Sequence, residues 1–299
     1  MEKIAIIMTV RNRKKVTKKG IESIITANKN KYDLYFYITD DGSTDGTDKM
    51  LEEIKEKNKK YTFIITKADG NQYWVGGMRI SYGKALEKDN IDYYLWVNDD
   101  VEFFENFFDV IMEDYKVLHN QYEKFLIVGA VKDKNTGETT YSAYNINSKK
   151  IYKYYTIMKP IKKIQECNMI SGNCMLTDKK VAKYLGNIDD RFIHSLGDWM
   201  YGLKLIDLGG KCFLASDYVG YCSRNSKKNT WQDESLSPIK RIQLKHDKKF
   251  HVPRIYIIYL KRVFGKKWFA YFIYQYAKIF VTSFNYRIKK ILNKKKNEI

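Results

Sequence analysis

Three acidic clusters have residue types and spacings that could do chemistry. The first is Asp40-Asp41-Gly42-Ser43-Thr44-Asp45-Gly46-Thr47. Two adjacent carboxylates can accept hydrogen bonds from a base N–H or from ribose hydroxyls, and the Gly and Ser that follow let the backbone turn tightly into a helix. The plain alternative is a capped turn, for which such residues are common. The second is Asn98-Asp99-Asp100, directly after the apolar Leu95-Trp96-Val97. Carboxylates delivered by a strand to its own end can hold Mg²⁺ or Mn²⁺ against a diphosphate, because hard cations prefer oxygen ligands. The alternative is a helix N-terminus stabilised by acidic groups. The third is His194-Ser195-Leu196-Gly197-Asp198-Trp199-Met200-Tyr201. An Asp opening a helix is a candidate general base if it faces a pocket; otherwise it is an N-cap, the commoner role. His194 reads as a hydrogen-bonded structural histidine. No Walker motif or GxGxxG follows the first apolar run, which argues against a P-loop NTPase or a dinucleotide-binding oxidoreductase.

These clusters need elements to position them. Ile4 to Thr9 is a continuous apolar run, as in strands covered on both faces by helices. Lys14 to Asn28, with Val16, Ile21, Ile24 and Ile25, predicts a helix. Leu34 to Thr39 predicts a second strand. Thr47 or Asp45 could cap a helix to about Lys59, with Met50, Leu51 and Ile54 as its buried stripe. Tyr61 to Thr66 predicts a third strand, Met78 to Lys88 a helix and Tyr93 to Val97 a fourth strand. Gly76-Gly77 would permit close backbone approach to a ligand, or form a plain loop. The βαβαβαβ alternation implies an open, mostly parallel, Rossmann-like α/β sheet. Ligands of such sheets sit outside the carboxyl ends of the strands, where Thr9-Val10-Arg11-Asn12, Asp40-Asp41 and Asp99-Asp100 all fall. Further on the pattern predicts helices over Phe107 to Leu118 and Asp198 to Leu208. Strands are predicted over Phe125 to Val131, Ile164 to Met169 and Phe213 to Cys222. From Leu236 onward only helix is expected. The expected domains are residues 1–235, carrying the clusters, and a helical, basic, aromatic-rich segment at 236–299.

The ordered set resembles the family 2 glycosyltransferases of the GT-A fold over about residues 3 to 222. It comprises a first strand with Thr9, then Asp-Asp-Gly-Ser-Thr-Asp, then Asn-Asp-Asp at a later strand end, then Gly-Asp-x-x-Tyr. The resemblance implies that Thr9, Arg11 and Asp41 bind the nucleotide base. It implies that Asp99 and Asp100 serve the donor diphosphate and its Mn²⁺ or Mg²⁺, Asp100 being the better ligand candidate. It maps the catalytic base to Asp198. Gly197-Asp198-Trp199-Met200-Tyr201-Gly202-Leu203-Lys204 also looks like the rhamnosyltransferase-like branch, which often reads G-D-x-D-Y-G-L-R; Met200 stands at the second acidic position. Asn-Asp-Asp is not a strict D-x-D, which leaves open which carboxylate touches the ion. The implied reaction is inverting transfer of a sugar from a nucleotide-diphosphate donor to a hydroxyl of a glycan or lipid-linked acceptor, in cell-surface polysaccharide synthesis. A sugar-1-phosphate nucleotidyltransferase is the enzyme alternative. It normally carries a glycine-rich basic loop after the first strand, and Val10-Arg11-Asn12-Arg13 has no glycine. The non-enzyme alternative is a basic protein binding membrane or RNA.

Composition sets the remaining bounds. With 299 residues, 44% of them hydrophobic and 30% charged, the chain has enough apolar content for a sizeable core and is not a disordered polymer. The formal charge is +19, from 54 basic and 35 acidic residues. Lys240 to Ile299 holds 17 basic and 2 acidic residues, a net of +15, leaving +4 for the first 239. A basic, aromatic-rich tail needs an anionic partner. No nucleic-acid motif accompanies it, so an anionic membrane surface is expected, with Trp268, Phe269 and Phe272 held by apolar burial. Its longest uncharged stretch, Trp268 to Ala277, is far short of the ~20 residues needed to span a bilayer. The alternative is a helical subdomain packed on the core. Four cysteines without a CxxC pair argue against a disulfide framework or zinc ribbon. Ile4 to Val10 is too short for a signal sequence, and its charge follows it. The expectation is a reducing, cytoplasmic location, peripheral on the inner face of the membrane.

Overall fold

The computed structural model describes residues 1–147, 151–247 and 252–296. The chain divides into two compact units: Met1–Ile146 with Tyr155–Arg224, and Asn147–Tyr154 with Asn225–Ile299.

The first unit opens with β1 (Lys3–Val10), α1 (Lys14–Asn28), β2 (Asp33–Asp40), α2 (Thr47–Lys57), β3 (Thr62–Lys67), α3 (Tyr73–Leu86) and β4 (Tyr93–Val97). These four strands form a parallel ladder in the order β3-β2-β1-β4. Alternation along each strand supplies two buried faces. Ile4, Ile6, Met8 and Val10 of β1, Phe36 and Ile38 of β2, and Leu95 and Val97 of β4 share one apolar cluster with Ile21 and Ile24 of α1 and Met50, Leu51 and Ile54 of α2. On the opposite face α3 packs on β1 and β2. There Tyr82 of α3 meets Tyr94 and Trp96 of β4 edge to face.

Beyond β4 come β5 (Glu102–Phe103), α4 (Phe107–His119), β6 (Phe125–Lys132), β7 (Thr139–Tyr141), β8 (Tyr144–Ile146), β9 (Tyr155–Ile157), β10 (Gln165–Cys167) and β11 (Cys174–Asp178). The unit closes with α5 (Lys179–Leu185), α6 (Gly197–Asp207) and β12 (Lys211–Tyr221). The main sheet runs β10-β12-β6-β11-β4-β1-β2-β3. β11 lies antiparallel between β4 and β6, and β12 returns parallel to β6. β8 and β9 form a separate antiparallel pair.

Helix α3 begins five residues before the helix expected at Met78, so Gly76 and Gly77 belong to it. The cause is packing against β1. A Cβ at Gly77 would lie 2.0 Å from Thr9 Oγ1 and 2.7 Å from Thr9 Cβ, so only glycine lets this turn seat over the strand. All four cysteines are free and buried.

The second unit holds α7 (Pro238–Lys245), α8 (Pro253–Phe264) and α9 (Trp268–Lys296). Ser237 caps α7 by accepting from Lys240 N, and Pro238 occupies its first turn, a favourable start because proline lacks an N–H that would go unpaired there. Buried Arg241 joins α7 to α9 by donating to Ile279 O, Thr282 Oγ1 and Ser283 Oγ. Phe264 stacks on Tyr271, and Tyr154 meets both rings at near right angles. Lys245 is buried between the Trp231 and Tyr256 rings, and burial lowers its pKa to about 8.

Candidate active site

Parallel register brings the first two acidic clusters together. Val10 pairs with Asp40, and Ile7 pairs with Trp96, so β1, β2 and β4 all end at the same edge. Asp41 is buried there. Its Oδ2 accepts from Gln72 N at 3.1 Å and Tyr73 N at 3.0 Å, and Oδ1 also accepts from Gln72 N. The carboxylate thus fastens the loop that starts α3. Gly42 lets that loop come close: its φ is +68°, and a Cβ there would sit 2.9 Å from Gly70 N. Arg11 donates to Gly70 O, lies 3.7 Å from Asp41 and keeps 47% of its side chain exposed. Thr9, half-buried, donates to Thr39 O. Asn12 Oδ1 accepts from Thr44 N, and Ser43 Oγ accepts from Asn12 N.

The Asn98-Asp99-Asp100 turn is organised by a residue that the sequence reading did not single out. Arg13 forks across both carboxylates, Nη1 to Asp99 at 3.0 Å and Nη2 to Asp100 at 2.7 Å. The other oxygen of Asp99 accepts from Thr17 Oγ1 at 2.8 Å. Burial pushes the Asp99 carboxyl up to about 6; Arg13 opposes the shift and Asp100 adds to it. Asp100 is held less completely, for its Oδ1 is buried with no close hydrogen-bond partner among the described residues. The nearby Cys222 thiol is pushed up by burial and then by the Asp100 charge.

Asp198 lies in the first turn of α6. Leu196, at φ +70°, turns the chain into that helix. The two Asp198 oxygens accept from Gly172 N and from Trp199 N, each at 2.9 Å. Burial pushes its carboxyl up to about 6, against these backbone bonds. Trp74 connects this residue to the β4 turn. Its indole ring packs where a Gly172 Cβ would stand, 2.5 Å away, and its Nε1 donates to Asn98 Oδ1 at 2.7 Å. Near Asp198, Tyr144, Tyr155 and Trp199 form a triangle of rings with centroids 5.3–5.6 Å apart. Tyr144 is raised by burial and then by the Asp198 charge.

One strand edge therefore carries Thr9, Arg11, Asp41, Asp99 and Asp100, and Trp74 links that edge to Asp198. Arg13, Trp74 and Gly172 were not anticipated. The available signal for Arg13 was a second cation after β1 facing an acidic pair at β4; no local pattern pointed to the other two. Among the described residues no three His, Cys, Asp or Glu side chains converge as a ready metal cage.

A model of the family described as "Glycosyl transferase family 2" matches residues 5–186, more than half of the chain. The chain belongs to glycosyl transferase family 2. Solved structures agree in fold. A mannosyltransferase from Pyrobaculum calidifontis, determined with GDP-Man and Mn²⁺, superposes with a TM-score of 0.54 at 13% identity, covering 94% of this chain and 72% of that one. Residues 1–349 of S. aureus TarS give 0.51 at 14% identity, covering 89% and 73%. GalNAc-T7 with UDP, GalNAc and Mn²⁺ gives 0.56 at 14% identity over 75% of this chain; the chain spans 44% of its length. The comparison with curated proteins found no match. The flanked sheet followed by basic C-terminal helices is the α/β, GT-A architecture that the motif order implied.

Proposed function

We propose that this family 2 glycosyltransferase moves a sugar from a nucleotide-diphosphate donor to a hydroxyl of a glycan or lipid-linked acceptor, with inversion at the anomeric carbon. The observation that carries the reading is the Asn98–Trp74–Gly172–Asp198 connection. It ties the buried carboxyl of Asp198 to the turn that carries the paired carboxylates, at the carboxyl end of the parallel strands, where such folds bind ligands.

Arg11 and Asp41, with Thr9 behind them, face the nucleotide base. Arg11 offers a half-exposed guanidinium, and Asp41 fixes the loop at Gln72 and Tyr73 while retaining acceptor capacity. Asp100 suits a divalent cation: its Oδ1 is a buried hard donor with no close hydrogen-bond partner among the described residues, and such ions often take one or two carboxylates with phosphate oxygens completing the shell. Asp99 is engaged by Arg13 and Thr17, which makes it the strut that aims Asp100. When bound, the ion would neutralise charge on the leaving diphosphate.

Asp198 accepts the proton of the acceptor hydroxyl as that oxygen forms its bond to the anomeric carbon. The bond from that carbon to the diphosphate oxygen breaks, and the nucleotide departs with the electron pair. One base on the attacking face gives inversion without a covalent intermediate, unlike retaining hydrolases with their paired carboxyls. The Tyr144, Tyr155 and Trp199 rings beside Asp198 suit the apolar face of an acceptor sugar. A hexosyl or rhamnosyl donor is the sugar class that the motif resemblance favours.

Calorimetry with UDP, GDP and dTDP, each with and without Mn²⁺, tests the donor half. One nucleotide should bind at least tenfold more tightly with the ion, and Asp100→Ala should abolish that gain. Equal affinity in both conditions would remove the metal role. Turnover of that nucleotide's sugars against mixed acceptors then tests the transfer.

A further inference from the structure

The tail expectation named Trp268, Phe269 and Phe272 as the residues that would enter a membrane. The structure divides them. Trp268 and Phe272 lie on the half-buried side of α9, where Phe272 meets the rings of Tyr256, Trp268 and Tyr276. Phe269 lies on the other side and is 55% exposed. With it on that side stand Ile273, Phe280, Phe284, Ile288 and Ile291, Phe284 exposed to 63%. At 3.6 residues per turn, positions 269, 273, 280, 281, 284, 288, 291 and 292 fall within an arc of about 140°, and about 23 residues of rise make it about 35 Å long. The buried positions Tyr271, Ile279 and Ser283 fall on the remaining arc. A solvent-facing side of a helix is normally polar, so this one is built to be covered.

We propose that this outer face of α9 docks onto an anionic lipid bilayer, with the helix lying in the headgroup plane. Charge selects that occupant. The helix contains seven basic residues and no acidic one. Arg287 borders one side of the apolar arc, and Lys278 and Lys289 border the other. Amphipathic helices with basic rims and wide apolar faces bind anionic interfaces in this way. A second copy of α9 would set lysine and arginine rims against each other with no carboxylate to pair them, and a coiled-coil seam is narrower than this arc. A bilayer-crossing role is excluded for the described helices, none of which is long and apolar enough. The inference rests on the second unit alone and stands apart from the sugar-transfer reading.

The test uses the full chain and vesicles of phosphatidylcholine with or without 30% phosphatidylglycerol. The protein should sediment with the anionic vesicles at low salt, bind neutral ones at least tenfold more weakly and retain part of its binding at high salt. Ile273→Ser, Phe280→Ser and Phe284→Ser combined should cut binding to anionic vesicles at least tenfold. These side chains are exposed, so circular dichroism and melting temperature should match the parent. Lys278→Glu with Arg287→Glu, which leaves the apolar arc intact, should also reduce binding and weaken its salt dependence. Failure of the parent to bind anionic vesicles, or unchanged binding by both variants, would overturn the proposal. So would a parent that sediments as a dimer, ignores vesicles and is dissociated by the triple variant; the face would then belong to a second copy.

Discussion

Asp198 carries two consequences that pull in opposite directions. Its carboxyl is raised to about 6 by burial, with no charged partner opposing the shift, so it must lose its proton before it can act as a base. Transfer should rise through pH 5 to 7 with an apparent pKa near 6 and then level off; a rate already flat at pH 5 would place the base elsewhere. The folded protein holds this proton more tightly than the unfolded chain does. Asp198 therefore contributes less to stability as pH climbs from about 4 to 6. Asp198→Asn removes that penalty but gives up one acceptor for a backbone N–H, for a net gain of about 1–2 kcal/mol at pH 7. The variant should lose turnover by about 10²- to 10⁴-fold while melting a few degrees higher. Arg13 invites a different measurement. Removing it leaves the buried Asp99 carboxylate with the Thr17 hydroxyl alone, a loss of about 1–3 kcal/mol. It also removes a cation that competes for Asp100. Arg13→Ala should melt lower than the parent and recover more steeply when Mn²⁺ is added; parallel Mn²⁺ responses would show that the arginine and the ion do not compete. The acidic members of the candidate site could be picked out because carboxylates at strand ends form recognisable strings. Arg13, Trp74 and Gly172 were not, because each works through a neighbour distant in sequence.

The elements show where sequence pattern suffices. β1 to β4 were readable because each is a short apolar run between turn residues, and a strand buried on both faces has few other ways to look. β11 and β5 were not, since each is defined by partners far away in the chain. The start of α3 was misplaced because glycine pairs locally signal a loop, whereas here Gly77 answers to Thr9. That contact can be tested by overpacking. Gly77→Ala should cost about 1–3 kcal/mol in chemical denaturation. In a Thr9→Ala background the cost should shrink, because the hydroxyl and methyl it would strike are gone. An identical cost in both backgrounds would show that the new methyl strikes something other than the Thr9 hydroxyl and methyl, since helix propensity alone favours alanine.

For the whole molecule, stability rests on packing without cross-links. The four thiols are buried, and burial holds Cys174 and Cys212 up to about 12. A thiol reagent at pH 8 should leave all four nearly untouched in native protein and label four per chain in denaturant. Reductant should not move the melting temperature. Fast labelling of any one would place it in a part of the fold that opens readily. The position of β11 also bears on how the chain is made. β4 has one neighbour, β1, already present when it emerges, but its other neighbour is β11, and 76 residues separate Val97 from Cys174. At elongation rates of about 5–20 residues per second that wait is about 4–15 s. Throughout it the β4 edge offers unpaired amides and carbonyls to any passing strand. Nascent chains arrested before Cys174 should be digested quickly by protease, bind chaperones and aggregate on release. Those arrested well beyond Tyr221, once β12 has covered the remaining edge of β6, should be protected, which would make the ribosome-bound intermediate the stage most exposed to aggregation.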